Sequence, residues 1–193
     1  MADCGGIIQG AAYSCDNPIV PGVAPDILLF NLKDIASITY DAVETHIITD
    51  ITLVSTKQAW KFEGFRQSAR PQYEYVKQQF STAYNHMIDL QVFDISADQK
   101  KNLEAMALAK IVAVVQNLDK TDTVPYEVYG LDVGLEINTL TRIAADLETA
   151  GSFSLQLMTP EDAGKEPKMP PSWWDTDFPT TKAKVDALLT PAV

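Results

Sequence analysis

Residues 110–137 read KIVAVVQNLDKTDTVPYEVYGLDVGLEI, and the fold turns on how they are parsed. The run IVAVVQ is continuously apolar, as in a strand covered on both faces. DKTDTVP is a polar turn, and YEVYGLDVGLEI continues as a second strand. From Tyr129 on, Tyr129, Leu131, Val133, Leu135 and Ile137 share one parity. Gly130, Asp132, Gly134 and Glu136 share the other. Side chains alternate across a strand, so this ribbon reads as apolar toward a core and acidic outside, bare of side chain at two places.

Working outward, the segment before it changes period. Ser96 and Gln99 form an S-x-x-Q capping box, and Leu103, Met106, Ala107 and Lys110 follow at helical spacing. This predicts a helix over about 96–109. Upstream, a strand is expected over 27–32, a β-branched strand in THIITDITLV and another in STKQAWKFEGF. QSARPQ carries Pro71, which argues against a ladder there. Phe80, Thr82, Tyr84, His86, Ile88, Leu90 and Val92 share a face. Residues 80–93 would span roughly 45 Å fully extended, long enough to predict a bulge or bend. Downstream, 138–151 reads as a loop with a helical turn near 144–147. SFSLQLM alternates cleanly, with Phe153, Leu155 and Leu157 inward.

The sum is a mainly β protein of α+β type: an antiparallel β-sandwich or partly open barrel with one embedded helix. The expected organisation is an N-terminal arm at 1–25, a sandwich body at 26–160, and a Pro/Trp-rich C-terminal extension at 161–193. That extension ends in a short helix near 181–189.

The chain has 193 residues and a net charge of −11, with 15 basic against 26 acidic residues. Nucleic-acid binders neutralise phosphates with Lys and Arg, so this balance argues against tight DNA or RNA binding and against anionic membranes. No apolar run approaches the roughly 20 residues that span a bilayer, and the N-terminus lacks the pattern of a secretory signal. Cys4 and Cys15 fit no zinc or redox motif. A disulfide in an oxidising compartment and two free thiols both remain open.

No catalytic motif stands out, and the reading is non-enzymatic with no cofactor and no metal. His46 reads as an exposed strand-end imidazole and His86 as a satisfied histidine on an apolar face. Asp89, Asp94 and Asp98 lack the central glycine of a calcium loop. Asp132 and Glu136, four apart on one strand, would sit about 13 Å apart, beyond the roughly 5–10 Å of a glycosidase pair. Trp173 and Trp174, followed by Phe178, have two readings: they fold back on their own subunit, or they anchor a neighbouring chain.

The order of these elements resembles the tail-tube fold of tailed bacteriophages. More narrowly, the chain resembles tail or tail-ring proteins from phages and prophages of Bacteroides-like bacteria. The likeness is carried by ILLFNLKDIASIT, KQAWKFEGF, SADQKKNLEAMALAKIVAVVQN, YEVYGLDVGLEI and GSFSLQLMTPEDAGKEP, over about residues 1–167. The Pro-Trp-Trp extension and RQSARPQYEYVKQQ depart from the pattern. The resemblance implies a structural virion protein, assembled in the bacterial host cytoplasm, forming a homo-oligomeric ring in the tail. Its partners would be its own copies, neighbouring tail or portal-proximal proteins, and genomic DNA passing without specific binding. It implies that Gly130, Asp132, Gly134 and Glu136 face a lumen, and that Trp173, Trp174 and Phe178 anchor adjacent subunits. The alternative is a monomeric β-sandwich module that binds a ligand or carbohydrate.

Overall fold

A computed structural model describes residues 7, 9–11, 19–77, 82–120, 124–161 and 164–191. Cys4, Cys15 and Phe80 lie outside these residues.

Among the described residues the fold is mainly β, of two sheets with two α-helices and no closed barrel. The larger sheet contains β1 (Val23–Asn31), β2 (Ile35–Tyr40), β3 (Ile47–Leu53), β4 (Trp60–Phe62), β7 (Ile111–Asn117), β8 (Tyr126–Tyr129) and β11 (Ser172–Trp173), in the order β2-β3-β11-β8-β7-β1-β4. The smaller sheet contains β5 (Ala69–Lys77), β6 (Thr82–Val92), β9 (Glu136–Arg142) and β10 (Phe153–Met158), in the order β5-β6-β10-β9.

The strand β7 is central because its side chains feed two cores. Ile111, Ala113 and Val115 join β1 residues Ile27 and Leu29 against Ile88, Leu90, Leu155 and Leu157 of the small sheet. Val112 and Val114 face the opposite way, into a second core with Ile48, Ile51, Val128 and Trp173. The helix α1 (Ala97–Met106) adds Leu103 to the first core, and α2 (Phe178–Ala187) adds Val185 to the second. The capping expected of α1 is present: Gln99 N–H donates to Ser96 Oγ at 3.2 Å. The alternation of β10 also holds, with Phe153, Leu155 and Leu157 buried.

Several expectations are corrected. The ribbon from Tyr129 to Ile137 is not one strand. The chain leaves the large sheet after Tyr129, turns, and enters the small sheet at Glu136. Gly130 and Gly134, with φ of 73° and 87°, make that turn. Of the bulge or bend expected over 80–93, the bulge is absent from the described strand β6: it pairs β5 over nine consecutive residues and β10 over six, without a register shift. Pro71 does not exclude a strand but lies in β5, an edge strand that has no neighbour on one side among the described residues. Residues 144–147 form turns, with no helix.

The C-terminal segment is not a free arm. It inserts β11 between β3, which it meets parallel, and β8, which it meets antiparallel. Asp177 caps α2 by accepting the Thr180 N–H at 2.8 Å, and α2 then covers the second core. The body therefore needs the chain beyond residue 160 to complete its larger sheet.

Candidate functional site

Two regions are built from side chains that sequence alone leaves unconnected: a buried polar clasp at the crossing between sheets, and the outer face of the small sheet.

The clasp begins with the turn at 130–134. A Cβ on Gly130 would lie 2.6 Å from Leu135 Cγ and 3.0 Å from the Ile111 carbonyl. Positive φ and the close approach both demand glycine there. The turn directs backbone N–H groups to one point, and such a concavity attracts an anion. The chain supplies its own. Glu166, 1% exposed, accepts the N–H of Val133 at 2.9 Å and of Asp132 at 3.1 Å. Its backbone also makes two hydrogen bonds with Tyr84, at 2.8 and 3.0 Å. Burial raises the Glu166 pKa; the N–H groups of Val133 and Asp132 offset part of that, and the charge of Asp132 adds to it.

His86, also 1% exposed, completes the clasp. Its Nδ1 accepts the Gly130 N–H at 3.2 Å, so its Nε2–H donates to the Lys168 carbonyl at 3.0 Å. Burial pulls its pKa down from 6.5 to about 4, against a small opposing effect of the Lys168 carbonyl. The ring meets Tyr129 edge-on at 5.6 Å. Tyr129 Oη donates to Glu127 at 2.8 Å, and burial raises its pKa. The neutral imidazole and the glutamate thus fasten the 164–171 segment to both sheets, just before β11. Among the described residues no three His, Cys, Asp or Glu side chains gather as metal ligands.

The outer face of the small sheet is polar and cross-linked by side chains. Arg70, Asp89, Gln156 and Thr139 lie level across its four strands. Asn138 Nδ2 donates to Gln156 Oε1 at 2.7 Å, and Gln156 Nε2 donates to Asp89 Oδ1 at 2.8 Å. Gln91 Oε1 accepts from Ser152 and Ser154 at 2.9 and 3.1 Å. Asn138 is the extra residue of a bulge, because Gln156 pairs Thr139 while Leu157 pairs Ile137. That bulge puts its amide within reach of the ladder.

The structure disperses the residues expected to face a lumen. Glu136 opens β9 opposite Met158, on this polar face. Asp132 is exposed in the turn, and Gly130 and Gly134 are buried. The shared parity of Asp132 and Glu136 is lost because the turn between them is not extended. Of the expected subunit anchors, Trp173 is 0% exposed inside its own chain. Trp174 is half-buried, with its N–H donating to the Ile48 carbonyl at 2.9 Å. Phe178 stacks on Tyr126 at 6.1 Å. The fold-back reading holds for Trp173, which is unavailable to a neighbour.

Sequence reasoning missed Glu166, whose partners are backbone groups more than 30 residues away; the glycine pair flanking Asp132 and Val133 was the available signal. No family model, no curated protein and no solved structure matches the chain.

Proposed function

We propose that this chain is a structural subunit of a phage tail tube or tail ring, assembling with copies of itself around a conduit for DNA. The observation that carries the reading is the small sheet. It has four strands, every neighbouring pair is antiparallel, and its edge strands β5 and β9 therefore run in opposite directions. Copies related by rotation can place β9 of one beside β5 of the next and keep the antiparallel order at every junction. Repeated around an axis, such a head-to-tail contact closes into a ring and removes the open edges.

The edges suit pairing between copies. Residues 72–75 of β5 and 138–142 of β9 are exposed, in strands that among the described residues are hydrogen-bonded on one side only. Side by side, the small sheets would form one continuous wall. Its outer face carries amides and hydroxyls already bonded to one another, together with Asp89, Glu136 and the Arg70 that stands level with Asp89, so its cation is set beside carboxylates and the face offers little grip to phosphates. On this reading the wall lines the lumen, and DNA passes without specific binding. Neighbouring tail or portal-proximal proteins would contact the ring ends, in the virion.

Trp173, buried in its own chain, is open neither to a ligand, as the alternative of a monomeric binding module could have used it, nor to a neighbouring subunit as an anchor. Light scattering on the purified chain over a range of concentrations tests the reading. It predicts a discrete multiple of the monomer mass; one chain per particle throughout contradicts it.

A further inference from the structure

Two features on opposite flanks of the small sheet fit one another. The loop following β9 exposes Ile143 at 67% and Leu147 at 94%, more than a solvated loop needs. It also carries Asp146 and Glu148, with no basic residue after Arg142. On the other flank, an open cleft of about 640 Å³ separates β5 from β1, β7 and β8. Its walls include Val23, Ala69, Pro71, Tyr73 and Tyr129. Its charged residues are Arg70 and Glu127, and the Glu127 carboxylate is already bonded to Tyr129 Oη.

These features lie at the same end of the sheet. Arg142, the last residue of β9, is level with Phe153 and Val92. Ala69, the first residue of β5, pairs with Leu90, and the Gln91 N–H donates to the Ser68 carbonyl at 2.9 Å. When the exposed stretch 138–142 of β9 in one copy is set antiparallel beside the exposed 72–75 of β5 in the next, displaced along the sheet from level register, the loop at 143–150 runs on past Arg142 alongside residues 67–71 of that neighbour.

We infer that Ile143 and Leu147 seat in the β5 cleft of the adjacent copy, with Glu148 facing its Arg70 while Asp146 holds the loop by accepting from the Glu148 N–H and the Thr149 hydroxyl. This rests on the ring reading and names the contact that sets its register. The apolar side chains exclude water from the junction, and the charges select a second copy over a like-charged surface. Pro71 removes one donor from β5, so backbone pairing is not the whole attachment, and the loop supplies the remainder.

The test uses the full chain in two forms. Native mass spectrometry compares the wild type with Leu147→Asp, at a site exposed enough to leave folding intact, as circular dichroism verifies. The expected result is association weakened about tenfold or more at each junction, with Arg70→Glu giving a smaller loss. In parallel, a Cys4→Ser, Cys15→Ser background carrying Leu147→Cys and Gln67→Cys is oxidised. A ladder of covalent oligomers is expected, and each single-cysteine variant should give at most dimers. A wild-type ring with an unchanged Leu147→Asp ring and no ladder overturns this contact and leaves the ring reading standing. A wild type that is monomeric at every concentration overturns both.

Discussion

The carboxylate of Glu166 accepts the Val133 N–H at 2.9 Å across 33 residues of sequence, in a site closed to solvent. This contact and the matching one from Asp132 hold the turn between the sheets. Removing the carboxylate leaves both donors without their acceptor. Glu166→Ala should lower stability by about 2–4 kcal/mol in urea denaturation, with Glu166→Gln intermediate. A change below about 0.5 kcal/mol, typical of a surface site, would show that the carboxylate does not hold the turn.

His86 gives stability a defined pH dependence. Its folded pKa of about 4 lies below the ordinary 6.5. The unfolded chain therefore takes up the proton first, and stability present above pH 6.5 is lost as pH falls toward 4. The depression sets a ceiling of about 3 kcal/mol on that loss. Glu166 acts with the opposite sign, since its folded pKa is raised; protonation relieves a buried charge. The comparison that isolates His86 is between wild type and His86→Gln. Wild type should lose more stability between pH 6.5 and 4 than the variant, and parallel curves would contradict this.

Gly130 and Gly164 separate strain from crowding. Both have positive φ, 73° and 88°. A Cβ at Gly130 meets Leu135 and the Ile111 carbonyl, whereas at Gly164 nothing lies within 4 Å. Gly164→Ala should cost about 1 kcal/mol from backbone conformation alone. Gly130→Ala should cost about 2–4 kcal/mol, because overpacking adds to it. Thermal melts that rank the two equally would argue against a crowded turn.

What was legible follows from locality. Strands β7 and β10 and helix α1 announce themselves in runs of six to ten residues whose period reports burial. The break at Gly130 was hidden because Leu131 and Leu135 are apolar for a reason other than alternation. A buried turn between two sheets needs a greasy lining too, and it mimics a strand. The strand β11 is two residues long and has no period to read. Its place between β3 and β8 depends on the clasp at His86 and Glu166, which lies earlier in the chain.

Trp173 and Trp174 are adjacent in sequence but should respond differently. Trp173 is fully buried, and its Nε1 has no acceptor among the described residues. Trp173→Ala should cost about 3–5 kcal/mol. Trp174→Ala should cost clearly less, because its side chain is half-buried. Trp173 should also be the better shielded from acrylamide quenching. Equal losses for the two would mean that β11 does not bury one side chain selectively.

The central claim is that the edges β5 and β9 are joined between copies of the chain. Electron microscopy of the purified protein at high concentration addresses it most directly. The account predicts annular particles or tubes with an open centre, their inner wall a continuous antiparallel sheet containing a β9–β5 junction between every pair of neighbours. Dispersed single chains with both edges open to solvent would contradict it.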